Sequence, residues 1–367
     1  MKSACLIFKK NNNVLDNKSF FSIIETFCLH GYDFNEIRIL SLANKTQINK
    51  TLQDLSSVEN LLLVSEKTEL PAVKRYVETN FPQGIYQGGI NGAGIYQSKN
   101  ITWFVVSADN SETGMSFAQQ TCIAHLEQKY GKKYGRYVIR CIGANEAYVQ
   151  RLLTDATRLA GDKIFYRYAN KYAEMIIELF YEQTIPKILL DDITRMFADG
   201  LGESIYALED VSIEEQLVRL LKLRNKKLSV AESFTGGGVG SRIVSVSGAS
   251  QVYFEGLNTY DENSKIKRLN VSQFTLKSKG AVSDQTAYEM AAGLIGTGDC
   301  DIAIATTGLA GPKTDRSLLP VGLCYISVGT KEKVFVYRYQ FDGSREEITQ
   351  TAINYALFLA YKLLRDI

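Results

Sequence analysis

The sequence predicts an α/β protein of three successive modules, and three observations lead there. Short apolar runs of strand length alternate with longer segments whose apolar residues recur at helical spacing. The pattern breaks at Lys129-Tyr130-Gly131-Lys132-Lys133 and changes character again near residue 207. A length of 367 residues suits two or three domains.

In the first module, residues 1–130, Ala4 to Phe8, Glu36 to Leu40, Leu61 to Ser65 and Trp103 to Ser107 read as short buried strands. Lys18 to His30, Lys45 to Leu55, Leu70 to Thr79 and Ser116 to Tyr130 read as helices. Strict alternation of this kind predicts a parallel sheet. Gln83 to Asn100 carries Gly88-Gly89, Gly92 and Gly94 and reads as a loop with room for a short strand.

The second module, residues 131–207, has a β-α-β-β-α order typical of a small α+β unit. Its elements are a strand at Tyr137 to Ile142, a helix at Glu146 to Leu159, a hairpin of Lys163 to Tyr168 with Tyr172 to Phe180, and a helix at Ile185 to Phe197 ending near Gly200.

The third module, residues 208–367, opens with a helix at Ser212 to Leu223, where Ser212 and Glu215 fit a capping box. A strand at Lys227 to Ala231 enters the turn Thr235-Gly236-Gly237-Gly238, which leads into a helix from Val239 to Val246. Val252 to Thr259 is a strand and Asp261 to Leu269 a short helix. Ser283 caps a helix reaching Leu294, and Asp301 to Thr306 is a buried strand. Val321 to Val328 and Lys333 to Phe341 form a hairpin about Gly329-Thr330, and a closing helix begins at Ser344 with Glu347 as its box partner.

Composition excludes several function classes. Lys plus Arg total 42 against 40 Asp plus Glu, a net charge of +2, so no electrostatic case exists for nucleic acid or an anionic membrane. The six cysteines are scattered without a C-x-x-C pair, and no apolar stretch is long enough to cross a bilayer or form a secretory core. The expectation is a cytoplasmic protein with reduced thiols. Only His30 and His125 are present, neither near another plausible ligand, so a histidine zinc site and a Ser-His-Asp triad are excluded as leading ideas. Hydrolytic chemistry must use another base.

Three segments could carry it. At the turn after Ala231-Glu232-Ser233, the glycines Gly236, Gly237 and Gly238 let backbone approach a ligand, and free N–H groups at a helix start favour an anion; a tight ligand-free turn accounts for the pattern equally well. Ser250, Tyr260 and Lys265 form a second set. A desolvated lysine can be neutral and deprotonate a serine, although such spacings are common by chance. Third, Thr306-Thr307-Gly308-Leu309-Ala310-Gly311-Pro312 comes after a buried strand, where α/β sheets bind ligands. Arg345 begins a helix, an end that does not favour cations, which hints at an anion to bind; a solvated arginine explains it too.

These signals occur in the order of a known family. Ala231-Glu232-Ser233-Phe234-Thr235-Gly236-Gly237 resembles the Ala-Glu-Ser-Cys-Thr-Gly-Gly opening of the CinA C-terminal domain, and Gly248-Ala249-Ser250 resembles its Gly-Ser-Ser turn. Asn258-Thr259-Tyr260 through Lys265, Gly280 to Ser283, Thr307 to Pro312, Pro320-Val321-Gly322 and Phe341 to Arg345 continue in register. Phe234 replaces the family cysteine, Ala249 replaces a serine, and Lys313-Thr314-Asp315-Arg316-Ser317 stands where the family has a run of glycines.

The resemblance implies a three-layer α/β domain of the PncC kind. Such a domain hydrolyses nicotinamide mononucleotide to nicotinate mononucleotide and ammonia, as in pyridine nucleotide salvage, with no metal or cofactor. It implies Ser250 as nucleophile, Lys265 as base and Tyr260 assisting, with Ser233, Thr235, Gly236, Gly237, Thr307, Gly308 and Arg345 around the substrate. The partners expected are the small nucleotide substrate and, by analogy, a second copy in a homodimer, with no nucleic acid or membrane.

Upstream, the resemblance implies a molybdopterin-binding-like α/β domain and a KH-like module. Gly202-Glu203-Ser204-Ile205-Tyr206 resembles the end of that module. The first domain lacks the family's Gly-Asp-Glu motif and has Ser65-Glu66-Lys67-Thr68 in place of its Thr-Gly-Gly-Leu-Gly-Pro-Thr loop, so ADP-ribose pyrophosphatase activity is expected to be absent. Two other readings stand beside the amidase: a non-catalytic nucleotide-binding or interaction protein linked to competence or DNA damage, and an amidohydrolase acting on a different amide.

Overall fold

In the computed structural model, residues 2–10, 17–55, 57–80, 85–88, 93–98, 101–108, 112–312 and 318–366 are described. The chain groups into two compact units, Met1–Arg136 with Phe180–Ile185, and Tyr137–Leu179 with Pro186–Ile367.

In the first unit, β1 (Ser3–Lys9), β2 (Glu36–Ser41), β3 (Asn60–Ser65) and β6 (Ile101–Ser107) are parallel in the order β2-β1-β3-β6. Helices α1 (Asn17–Leu29), α2 (Lys45–Asp54) and α3 (Leu70–Asn80) connect them, as alternation dictates. The side chains of β1 and β3 alternate between two apolar clusters. Cys5, Ile7, Leu62 and Val64 face α1, whereas Ala4, Leu6, Leu61 and Leu63 face α2 and α3. The sheet is not wholly parallel, contrary to expectation. The glycine-rich stretch pairs as an antiparallel hairpin of β4 (Ile85–Gly88) and β5 (Gly94–Ser98) along β6. Period-2 patterning is too short there to show against the glycines. The expected helix at Ser116 to Tyr130 starts earlier, as α4 (Glu112–Phe117), and passes through a π turn, Ala118–Ile123, into α5 (Ala124–Tyr130).

A four-stranded sheet orders β10 (Ile205–Ala207), β7 (Tyr134–Ile142), β9 (Glu174–Glu182) and β8 (Ile164–Lys171), with α6 (Glu146–Ala160) and α7 (Lys187–Leu201) between its strands in sequence. Ile142, Tyr206 and Ala207 belong to the same apolar cluster as Leu217 and Ile304, so this sheet shares a core with the C-terminal layers.

The five-stranded sheet runs β12 (Tyr253–Asn258), β11 (Leu228–Glu232), β13 (Ile302–Gly308), β14 (Leu323–Gly329) and β15 (Val334–Gln340). The first three strands are parallel and the last two antiparallel. One face buries Val230, Ile302 and Ile304 against α8 (Ile213–Leu223), α9 (Gly238–Val244) and α13 (Arg345–Asp366). The other buries the small Ala231, Ala303 and Ala305 against α10 (Glu262–Leu269), α11 (Gln273–Lys279) and α12 (Asp284–Gly296). This is a three-layer α/β sandwich.

Its caps are those the sequence predicts. Ser212 and Glu215 form a reciprocal capping box, and Ser283 accepts from Thr286 N. Helix α11, which short length and mixed polarity hide in the sequence, is capped by Ser272. Replacing Ser212 by Ala should lower stability by about 1 kcal/mol, since the N-cap acceptor is lost. Urea denaturation monitored by circular dichroism reads the change, and an unchanged midpoint would show that the cap contributes nothing.

Candidate functional site at the carboxyl ends of the parallel strands

Strands β12, β11 and β13 end together, and their backbone continuations interlock. Ser233 N donates to Thr306 O and Thr259 N to Glu232 O. Ser233, Thr235, Thr259, Thr306 and Thr307, all buried, therefore gather where a parallel sheet binds ligands.

Glu232 sets the turn after β11. Its carboxylate is 2% exposed and accepts from the amides of Gly237 (3.0 Å), Val239 (3.0 Å) and Gly240 (2.8 Å). Gly236 N donates to Ser233 O and Gly238 N to Thr235 O. Five successive amides, residues 236–240, are thus used within the chain. This corrects the expectation of free N–H groups awaiting an anion, because the anion at the start of α9 is the protein's own carboxylate. Gly236 and Gly237 are required for a second reason, their φ of +61° and +94°. Thr235 Oγ1 and Thr306 Oγ1 share a hydrogen bond of 2.7 Å, which ties the turn to β13.

Lys265 is 1% exposed although it sits on a short polar helix. Its Nζ donates to Ser233 Oγ (3.0 Å), Thr259 O (2.5 Å) and Tyr260 O (3.3 Å). Burial pulls the ammonium down from the ordinary lysine range to about 8, while the carboxylates of Glu262 and Asp261 pull it up. A neutral amine at this place can accept a proton from a hydroxyl, and Ser233 holds one on it.

The expected catalytic trio is therefore only partly assembled within one chain. Lys265 meets the backbone carbonyl of Tyr260, and the residue itself is 67% exposed. Ser250 is exposed in a one-turn 3-10 helix, Ala249–Gln251, that precedes β12. Lys265 is bonded at the other end of that strand. With six residues in β12 and about 3.3 Å of rise each, the two groups lie on the order of 20 Å apart. The expected Ser250–Lys265 pair does not form within the chain, and Ser233 occupies the place beside the amine. Sequence spacing holds no signal for that exchange, since Ser233 and Lys265 are 32 positions apart.

Of the remaining expected site residues, Thr307 donates to Ala281 O (2.6 Å). Gly308 is constrained by packing, because a Cβ there would meet Cys324 Cβ at 2.4 Å. Arg345, exposed at the start of α13, donates to Gly311 O (2.7 Å) and so stands over the loop after β13. The loop at 313–317 lies outside the described residues.

Residues 210–364 match the family model for the CinA C-terminal domain. Residues 210–364 thus form a CinA C-terminal domain. A competence-damage inducible protein of Caldicellulosiruptor saccharolyticus is 36% identical over 248 residues, covering 67% of this chain and 60% of that protein. The chain thus spans less than two thirds of that relative's length. One of Clostridium beijerinckii is 28% identical over 324 residues, 83% of this chain and 79% of that protein. The solved CinA superfamily protein of Escherichia coli is 30% identical, with 45% of this chain and 98% of that one covered at a TM-score of 0.40. None of these names states a reaction. Among the described residues, no helix is long and apolar enough to cross a membrane.

Glu232 carries the strongest structural requirement of this CinA domain. Glu232→Ala leaves three buried or half-buried amides without an acceptor and should cost about 3 kcal/mol, while Glu232→Gln, which keeps one acceptor, should cost less. Thermal denaturation of the two variants distinguishes them; equal small losses would mean that water replaces the carboxylate.

Proposed function

We propose that the CinA domain hydrolyses the carboxamide of nicotinamide mononucleotide to nicotinate mononucleotide and ammonia, with Lys265 as general base toward a serine hydroxyl. The observation that carries this reading is the buried Lys265 amine, shifted down to about 8 and hydrogen-bonded to Ser233. A base is most effective when its pKa lies near the working pH, and Lys265 stands at the carboxyl ends of the parallel strands, the end of an α/β sheet where ligands bind. The choice of amide rests on the family resemblance.

The steps balance without a metal. The serine Oγ–H gives its proton to neutral Lys265 as Oγ bonds to the carboxamide carbon, and the C=O pair moves onto oxygen. The oxyanion collapses, the C–N bond breaks, and Lys265 returns the proton to the leaving nitrogen, releasing ammonia. Water then attacks the acyl-enzyme, Lys265 takes the water proton, and the serine leaves reprotonated with nicotinate mononucleotide released. Within one chain Ser233 is the serine bonded to the base. Arg345, anchored on Gly311 O with its outer face exposed, is suited to the substrate phosphate.

A second reading is a non-catalytic nucleotide-binding or interaction protein, and one observation favours it. The amides of residues 236–240 are all engaged, so they are not free for a ligand. Hydrolysis of another amide is the third reading. Cytoplasmic location, one module per sheet at 1–130, 131–207 and 208–367, and loss of pyrophosphatase activity from the first module are proposed with it.

Ammonia release from nicotinamide mononucleotide tests the leading reading. Lys265→Met should reduce kcat at least ~100-fold, the usual scale for a lost general base, with the circular dichroism spectrum unchanged. Because the base must be unprotonated, kcat should rise with pH through about 8. Glu262→Gln removes the largest influence that raises this value, so the rising limb should move to lower pH. A folded parent protein that releases no ammonia while binding the nucleotide would transfer the case to the second reading.

A further inference from the structure

The turn between β8 and β9 carries backbone strain that no glycine relieves. Tyr172 and Ala173 make the whole connection, and their φ values are +55° and +60°. A two-residue hairpin with both residues left-handed strongly favours Asn-Gly, because other side chains crowd their own backbone there. Among the described residues, the other non-glycine positions of this kind are Asn225 and Asn270, a residue type that tolerates it. Such strain persists only where the surroundings hold it, and it marks a place to look for a functional reason. The surroundings here lead to α13, within the same compact unit. Tyr172 O accepts from Asn354 Nδ2 (2.9 Å), and Ala173 O accepts from Gly143 N (2.9 Å). Asn354 is 2% exposed, and its Oδ1 accepts from Arg242 of α9 (3.0 Å), so its carboxamide is used on both sides. A Cβ at Gly143 would lie 2.5 Å from the Tyr355 hydroxyl, so this end of the small sheet lies directly on the helix. Tyr172 Oη then donates to Glu346 Oε1 (2.8 Å), and the Lys171 ammonium stands 4.7 Å from the centre of the Tyr172 ring.

We infer that Tyr172 is a positioning residue for Arg345, through which the second module sets the fit of the substrate phosphate. The inference rests on the phosphate role proposed for Arg345 and extends it. One strained residue holds α13 at two points, Asn354 by its carbonyl and Glu346 by its hydroxyl, and Glu346 is the residue next to Arg345. The capping box of Ser344 with Glu347 is internal to the first turn of α13. The Tyr172 hydroxyl ties that turn to the small sheet instead. Arg345, anchored on Gly311 O, is then held between two fixed supports, the loop after β13 and the β8–β9 turn. Asparagine or glycine at position 172 would suit the backbone but would reach no carboxylate at Glu346, and phenylalanine would reach it without a donor. The strain is therefore kept for the side chain, which discriminates a phosphorylated amide from its nucleoside by way of the guanidinium.

Binding and turnover measured side by side test this. Tyr172→Phe keeps the ring and removes the hydroxyl. KM, and the Kd of nicotinamide mononucleotide from equilibrium dialysis, should rise about fivefold, the scale of one hydrogen bond, with kcat unchanged. Inorganic phosphate as a competitor should lose affinity by the same factor. In an Arg345→Ala background the same change should add nothing, because its effect passes through the guanidinium. Tyr172→Asn with Ala173→Gly relieves the turn, so its urea midpoint should not fall below the parent's while binding still weakens. Unchanged binding by Tyr172→Phe, a loss confined to kcat, or full additivity with Arg345→Ala would overturn the inference. So would an Asn-Gly variant that loses stability and binds as the parent does, since the turn would then serve the fold alone. A parent that binds the nucleotide without releasing ammonia rejects the amidase reading, and the dialysis series still decides the role of Tyr172. A parent that binds neither nucleotide nor phosphate rejects both.

Discussion

A carboxylate held at the start of a helix organises the site. Glu232 ends β11 with its side chain turned into the first turn of α9, and the three amides it binds fix the course of residues 233–240. An ionised acceptor suits that end of a helix, where the backbone dipoles and unpaired donors favour negative charge. Once the turn is fixed, Thr235 must meet Thr306, and Ser233 must face the space where Lys265 arrives from α10. Losing those acceptors would release the segment that continues β11 and bonds to β13 through Ser233 and Thr235.

Lys265 depends on this frame. A lysine is rarely buried unless its polar partners are supplied. Here two carbonyls and a hydroxyl supply them, and the depressed pKa is what remains of the desolvation cost after the carboxylates of Glu262 and Asp261 have acted. The small residues Ala231, Ala303 and Ala305 under α10–α12 belong to the same arrangement, since they let that helical layer lie close to the strands it serves.

Much of this was legible in the sequence, for identifiable reasons. The strands of the C-terminal sheet and the caps at Ser212 and Ser283 are local signals, set by periodicity and by side chains within a few residues. The pairing of Ser233 with Lys265 is not local. It arises from β11 lying parallel to β12 with Glu232 opposite Asn258, a register that composition does not encode. Ser250 and Lys265, fifteen positions apart in sequence, show the converse. Nearness along the chain becomes distance when a strand runs straight between two groups. Engagement of the glycine-turn amides is not legible in the sequence, because no local pattern marks Glu232 as a buried acid.

The three acceptors around the Lys265 amine bear on turnover. An ammonium has three hydrogens to donate, and here each finds an oxygen. When the proton is gone, two donors and one lone pair remain, and a hydroxyl is the only one of the three partners that can reverse its role. The shuttle between protonation states therefore needs a rotation of one O–H bond and no movement of carbon or nitrogen. Little polarisation work accompanies each proton transfer, so the cavity stays matched to both halves of a cycle in which the same group must first take a proton and then return it.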